Sequence, residues 1–263
     1  MRDSIKKAMC IIALLVLCLS ASSQAATSIC YLNTQPDKDV DYLAAYGYDV
    51  TYMNNPVGLV PGQLSGFEAV LVTDSVMFTE PAVVGNALAA YADAGGGVVI
   101  TEFCFQGMWA LQGQIMTPGY SPFTADPSSS GYGIIQTGLV VHDPTHPIFD
   151  GVNTANVPTY WQANVGLDAG ATSLAEWPSG RDAVAFNTLA GGNSVVGLNM
   201  FPADFYANSM MTPDSQRLVA NALGFSIGSG DDEGLPTAPV PGAAVLGFLG
   251  VGLTGWLRRR CSL

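Results

Sequence analysis

Three side chains that could do chemistry lie at alternate positions of one short segment, namely Glu102, Cys104 and Gln106. A carboxyl group can act as a general base, and a thiol can act as a nucleophile when a histidine activates it. The segment follows an apolar run, residues 98–101, that predicts a buried strand. Ligands of open α/β sheets bind beyond the carboxyl ends of the strands. The sequence therefore predicts a ligand-binding site made of Asp74, Ser75, Glu102, Gln106 and Trp109.

Cys104 has three interpretations. It is a nucleophile if His142 or His146 folds over it, which the chain order permits. It is half of a disulfide with Cys30 if the chain matures in an oxidising compartment. Otherwise it is a buried or half-buried free thiol. The catalytic residues therefore stay open, with Glu102, Cys104 and His146 as candidates, and Glu102 is equally compatible with a solvated carboxylate.

The two histidines, His142 and His146, are four residues apart, a spacing that binds metals when it lies on a helix. Pro144 and Pro147 exclude a helix there. We therefore expect a turn in which His146 bonds to backbone groups. The acidic run at residues 37–41 lacks the glycine and the closing glutamate of a calcium loop. We predict no metal site and no cofactor.

The segment after residue 107 is long, rich in glycine and aromatic residues, and without clear periodicity. Loops of this length are commonly functional. Its aromatic side chains, with two later ones, either stack on sugar rings or close the core beneath the loop. The six aromatic residues concerned are Trp109, Tyr120, Phe123, Tyr132, Tyr160 and Trp161.

Apolar runs alternate with helical patterns in the first half of the chain, which favours a parallel sheet covered on both faces. The predicted strands there are residues 28–33, 48–53, 69–73 and 98–101. A helix is expected from Thr79 and Pro81 to the glycines at 95–97. In the second half, 134–141 is a possible strand, and the hairpin-spaced runs 171–177, 182–187 and 194–200 predict antiparallel strands before a last helix at Thr212.

Both ends of the chain resemble targeting segments. Residues 1–25 combine a basic start, an apolar run and small residues before a cleavage position, the layout of a secretory signal peptide. Residues 228–235 form an acidic linker. Between 26 and 235 there are three basic and twenty acidic residues, a net charge of −17. Such a surface repels phosphate backbones, so we predict no nucleic-acid partner.

The last segment, residues 236–263, contains a proline motif, a glycine-rich apolar run at 242–257 and an arginine cluster. This layout resembles the PEP-CTERM sorting signal, although the Pro-Glu-Pro of that family reads Pro239-Val240-Pro241 here. The resemblance implies processing by an exosortase-type enzyme and a transient anchor in the inner membrane, with export to the periplasm, cell surface or extracellular matrix. The alternative is a plain C-terminal membrane anchor. The implied sorting residues are Pro239, Pro241, Arg258, Arg259 and Arg260.

The body, residues 26–227, resembles the trehalose-utilisation-protein-like (ThuA-like) group of the class I glutamine amidotransferase-like fold. The matching features are the Asp-Ala-Gly-Gly-Gly of 93–97, the strand and acid of 98–102, Trp109, the Pro-Thr-His-Pro-Ile of 144–148, and Gly151. The resemblance implies a flavodoxin-like three-layer α/β sandwich with a mostly parallel sheet, which the later antiparallel strands extend.

The catalytic triad of the amidotransferases does not carry over. Cys104 lies between Phe103 and Phe105 instead of glycines, and the residues at 201–203 are Phe-Pro-Ala where the family has His-x-Glu. We therefore predict an exported domain, without this catalysis, that binds a small polar ligand or extracellular polysaccharide. The alternatives are a carbohydrate-active hydrolase or isomerase that uses Glu102 and His146, and a structural matrix component.

Overall fold

A computed structural model describes residues 25–125, 135–203 and 211–228. Nearly all of the predicted signal peptide and of the acidic linker lie outside these ranges, as do the whole sorting segment and Tyr132. Within these ranges, no helix is both long enough and apolar enough to cross a membrane.

The first half of the chain alternates strands and helices, as the sequence predicts. Its elements are β1 (Thr27–Asn33), a 3₁₀ helix (Asp41–Tyr46), β2 (Tyr48–Asn54), β3 (Ala69–Val72), α1 (Pro81–Asp93) and β4 (Gly97–Thr101). All residues of β3 and β4 are buried, because layers cover both faces of the sheet. Helix α1 begins with Pro81 at its first position, but its N-cap is Glu80 and not Thr79 as predicted.

The second half adds short strands, three longer antiparallel strands and one helix. These are β5 (Phe123–Thr124), β6 (Gln136–Thr137), β7 (Val140–Val141), β8 (Pro158–Thr159), β9 (Gly166–Leu167), β10 (Thr172–Glu176), β11 (Asp182–Thr188), β12 (Ser194–Leu198) and α2 (Pro213–Ser226). The possible strand over 134–141 is interrupted, because Gly138 adopts a φ of 88° between β6 and β7. Thr212 caps α2 as expected and accepts a hydrogen bond from the Ser215 amide at 3.1 Å.

One eight-stranded sheet organises the described chain, in the order β2-β1-β3-β4-β12-β11-β10-β7. The pairs from β2 to β12 are parallel, and the pairs from β12 to β7 are antiparallel. The predicted fold class is therefore confirmed: a mostly parallel α/β sheet that antiparallel strands extend.

Two apolar layers enclose this sheet. On one face, Tyr31, Leu71 and Val99 pack in the same core as residues of α2. On the other face, Cys30, Val70 and Val98 pack in the same core as residues of α1. Neighbouring residues of a strand point to opposite faces. The face of each side chain therefore decides which side chains can meet beyond the strand ends.

Candidate ligand-binding site at the carboxyl edge

Strands β3 and β4 are neighbours, so the residues that follow them meet at one edge of the sheet. We call this the carboxyl edge, defined as Asp74 and Ser75 after β3 and the 3₁₀ helix Glu102–Phe105 after β4. The hydroxyl groups of Thr73 and Thr101 lie 2.9 Å apart, and that of Thr101 also donates to the Val72 carbonyl at 2.9 Å. These bonds hold the two strand ends side by side.

Glu102 is completely buried at the start of its 3₁₀ helix. Its backbone amide donates to the Met200 carbonyl at 3.3 Å. Neither side-chain oxygen has a hydrogen-bond partner in the described part of the chain. Burial raises the pKa of this carboxyl group well above its usual range, and the nearby Asp74 raises it further. Glu102 is therefore not the solvated carboxylate that the sequence left open.

Asp74 is equally buried, and both of its carboxyl oxygens also lack a hydrogen-bond partner among the described residues. Burial raises its pKa to about 8. The amide groups of Phe78 and Val76 and the hydroxyl group of Thr34 lie close enough to oppose this rise. The Thr34 oxygen accepts instead from the Ser75 amide at 3.0 Å, which fixes the turn after β3.

Cys104 is a buried free thiol, as is Cys30. Its sulfur lies 3.8 Å from the Val72 carbonyl, and burial raises its pKa well above the usual value. Burial likewise raises the pKa of Cys30 to about 12. The proposed Cys30–Cys104 disulfide is absent from the described structure. Strand β3 separates β1 from β4, and Cys104 lies beyond the end of β4 whereas Cys30 lies inside β1.

Neither histidine of the chain reaches the thiol. Cys104 packs in the α1-side core, whereas the His146 ring packs against Phe225 and Phe186 on the α2 side, with centroids 4.7 and 5.4 Å apart. His142 lies after the edge strand β7, with Nε2 3.5 Å from a Glu176 oxygen. The chain contains only these two histidines. The Cys–His pair of acyl transfer is therefore not formed, and the nucleophile interpretation of Cys104 is wrong.

Glu102 and His146 are not brought together either. His146 contacts Phe186, which is level with Val196 of β12 and Val99 of β4. Phe186 therefore lies two strands away from β4 and level with a residue three positions before Glu102. Each of these two separations is about 10 Å. His146 instead accepts a hydrogen bond at Nδ1 from the Ile148 amide at 3.3 Å, which confirms its predicted role in a turn.

Part of the predicted aromatic group gathers next to the carboxyl edge, on the α2 side. The Phe103 ring contacts Trp109, Trp161 and Phe201, with centroids 5.3, 5.5 and 5.6 Å apart. Tyr160 packs edge-on against Trp161. Other members lie elsewhere: Phe123 packs on Phe105 in the α1-side core, and Tyr120 binds Asp93.

Two residues beside this site, Tyr31 and Asn33, were not predicted from the sequence. Both are buried on β1, and neither the Tyr31 hydroxyl group nor the Asn33 amide group has a hydrogen-bond partner in the ranges described. Asn33 could have been found by the rule that selected Asp74, because it is the polar residue that ends a buried strand. Tyr31 lies inside an apolar run and carries no such signal.

The opposite edge of the sheet contains an open cleft of about 440 Å³. We call this the amino edge, and its cleft is lined by Pro61, Gly62, Phe67, Glu68, Tyr91 and Ile227, among others. The cleft lies far from Asp74 and Glu102, which are at the other end of the strands. The amino edge therefore offers open space, and the carboxyl edge offers buried polar groups.

Comparison with known proteins identifies the architecture. No family model matches the chain, and no curated protein matches it. Solved structures do match. A cytoplasmic protein of Salmonella typhimurium LT2 aligns with a TM-score of 0.56 and 12% identity, over 75% of this chain and 98% of its own. A ThuA-like protein of Bacteroides uniformis aligns with a TM-score of 0.55 and 13% identity, over 82% and 98%.

A Thermoplasma acidophilum protein of the GMP synthase type aligns with a TM-score of 0.52 and 12% identity, over 77% and 95%. The body has the ThuA-like and amidotransferase-like fold. At these identities the likeness concerns the fold alone, and function has to be argued from the site.

Proposed function

We propose that this chain is an exported, surface-associated protein whose amidotransferase-like domain binds a small polar ligand, such as a unit of an extracellular polysaccharide. The observation that carries the proposal is the pair of buried carboxyl groups, Asp74 and Glu102, whose oxygens have no partner in the described residues. Most buried polar groups in proteins are hydrogen-bonded. Ligand hydroxyl groups would supply the missing donors.

The absence of a Cys–His pair supports binding over amidotransferase chemistry. A thiol that burial keeps protonated is a poor nucleophile. The separation of Glu102 from His146 also removes the basis for a carbohydrate-active enzyme that uses both residues. The half-buried Trp109 and Trp161 beside the edge favour a ligand with sugar rings, because such rings stack on aromatic faces.

Binding can be tested by titrating the full chain with glucose, mannose, galactose and trehalose at pH 7. We expect saturable binding of at least one sugar without turnover. Glu102→Leu should weaken it by about tenfold or more, because a buried acceptor is lost. Glu102→Gln, which keeps an acceptor oxygen, should weaken binding less than Glu102→Leu does. Glu68→Leu, the matched change at the amino edge, should have no effect.

Three outcomes would contradict this proposal. Binding that is lost in Glu68→Leu but kept in Glu102→Leu would place the site in the amino-edge cleft. Conversion of a sugar that Glu102→Gln abolishes would make the protein an enzyme. No binding of any sugar, with a folded chain, would favour the structural matrix component.

Export is tested separately by fractionating cells that express the full chain or truncated chains. We expect the full chain outside the cytoplasm and a chain without residues 1–25 inside it. Removal of residues 236–263 should release the exported chain from the membrane or surface fraction. A full chain that stays in the cytoplasm would refute the exported role and leave the ligand proposal intact.

A further inference from the structure

Three buried titratable side chains lie close enough to the Cys104 thiol to interact with it electrostatically. Charges on Asp74 and Glu102 are close enough to raise the pKa of the thiol, and Cys104 in turn raises that of the Tyr31 hydroxyl group. Asp74, Glu102 and Tyr31 are all buried, and their polar atoms have no hydrogen-bond partner in the described ranges. The carboxyl edge therefore concentrates acidic groups away from water.

No hydrogen bond joins a basic side chain to either carboxyl group in the described ranges. Between residues 26 and 235 the chain has only Lys38, Arg181 and Arg217 besides its histidines. Lys38 pairs with the carboxylate of Asp37 at 2.7 Å. Arg217 lies over the Tyr46 ring, which precedes β2. Arg181 lies in the turn between β10 and β11, at the carboxyl edge but at least two strands away from β4.

Burial without a counter-charge decides the protonation state of this edge. An ionised carboxyl group in such a place loses its hydration and gains no bonded cation among the described residues in return. For Asp74, the nearby amide groups of Phe78 and Val76 and the Thr34 hydroxyl group offset only part of this cost. Two such groups side by side also repel each other. The closed arrangement is therefore compatible with Asp74 and Glu102 only while both carry protons.

We propose that the carboxyl edge is a pH-dependent switch, which stays closed while Asp74 and Glu102 are protonated and opens to water as they ionise. The titratable groups that face the pair are Tyr31 from β1, with Tyr52 of β2 behind it, and Cys104 from the same 3₁₀ helix. All of them are acids, so no titratable group among the described residues that face the pair opposes the effect. The ligand site of the proposed function would then become accessible as the pH rises, although the switch is a property of the unliganded chain.

The direction of the pH effect follows from the number of protons that the closed and the open edge bind. The closed edge holds protons that the open, solvated edge releases above its ordinary carboxyl pKa. Each carboxyl group that ionises on opening therefore raises the opening equilibrium about tenfold per pH unit, until it also ionises in the closed state.

The two buried cysteines provide an internal measurement of this opening. The full chain is alkylated with iodoacetamide between pH 6 and 8, and the modification of Cys104 and Cys30 is quantified by peptide mass spectrometry. Cys104 lies in the switch, whereas Cys30 lies inside β1. Using the ratio of the two rates removes the common increase in thiolate with pH.

We expect the Cys104 to Cys30 ratio to rise at least tenfold from pH 6 to 8 in the wild type and in the control Glu68→Gln. The ratio should stay flat in Asp74→Asn/Glu102→Gln, which cannot ionise. If the double variant does not fold, each single variant should show half of the wild-type rise in this ratio, measured on a logarithmic scale. Amide exchange at residues 102–105, compared with 97–100, gives a second readout.

A flat ratio in the wild type would overturn the proposal. So would an equal rise in the double variant, because the opening would then not depend on these carboxyl groups. An equal increase at both cysteines would indicate global unfolding instead of a local switch. None of these results requires a ligand, so failure here is distinguishable from failure of the sugar titration.

Discussion

The two edges of one parallel sheet have opposite properties. At the carboxyl edge, acidic side chains are buried and their oxygens lack partners among the described residues. At the amino edge there is an open cleft, and two of the carbonyl groups around it accept hydrogen bonds: the Tyr91 hydroxyl group donates to the Phe67 carbonyl at 2.9 Å, and the Asn193 amide donates to the Gly96 carbonyl at 2.8 Å. The open cleft and the buried acidic pair therefore lie at opposite ends of the strands.

Open space and unmet hydrogen-bonding capacity are therefore distinct properties. A cleft whose carbonyl groups already accept hydrogen bonds within the protein gains little from a ligand that would only replace water. A closed cluster of groups without partners gains the bonds that the fold does not supply.

The largest effect should be on the pH dependence of global stability. The folded-state pKa of Asp74, about 8, lies above its unfolded value, so its stabilising contribution is complete below about pH 4 and is lost as the pH rises through about 8. Wild type should lose on the order of 3 kcal/mol between pH 5 and 8 relative to Asp74→Asn. Urea unfolding at both pH values measures this loss. If the free energy of unfolding changes equally with pH in the two proteins, Asp74 is not held protonated in the folded state.

An intermediate effect is expected at the amino edge, and it should not depend on pH. A Cβ atom at Gly97 would lie 2.5 Å from the Ser226 hydroxyl group and 2.7 Å from the Ile227 amide nitrogen. Gly97→Ala should therefore destabilise the fold by about 2 kcal/mol through overpacking. Gly62→Ala is the matched control, because nothing lies within 4 Å of its Cβ position. Equal unfolding midpoints for both variants would contradict the close contact of β4 with α2.

The smallest effect should come from the thiols. Cys104→Ala and Cys30→Ala should each cost about 1 kcal/mol, as expected for removing a small buried apolar group. Cys104→Ala should keep its sugar binding, because no histidine activates this thiol. Loss of binding or of any turnover in Cys104→Ala alone would restore a chemical role for this residue.

The fold was largely predictable from local pattern. Alternating apolar runs located β1 to β4 within one or two residues, and Thr212 and Pro81 marked helix starts that the structure confirms. The Gly138 turn was not predicted, because a single glycine inside an apolar run does not reveal its positive φ.

The proximity of Asp74 and Glu102 was predictable, but their protonation and burial were not. Asp74 and Glu102 were expected together because both follow strands of one sheet. Their complete burial depends on how the segments after β3 and β4 pack, which sequence separation does not specify. The separation of the histidines from Cys104 was not predictable either, because the chain order allows contact. In the structure, Cys104 packs in the α1-side core, whereas His146 packs on the α2 side.

The close approach of Gly97 to the end of α2 has an orientational consequence. Because α2 finishes beside the first residue of β4, the described chain leaves the domain at Gly228 from the amino edge, and it also enters there at β1. Any tether attached after Gly228 would hold the domain by that end. The carboxyl edge, which contains Asp74 and Glu102, would then be the end of the domain farther from the point of attachment.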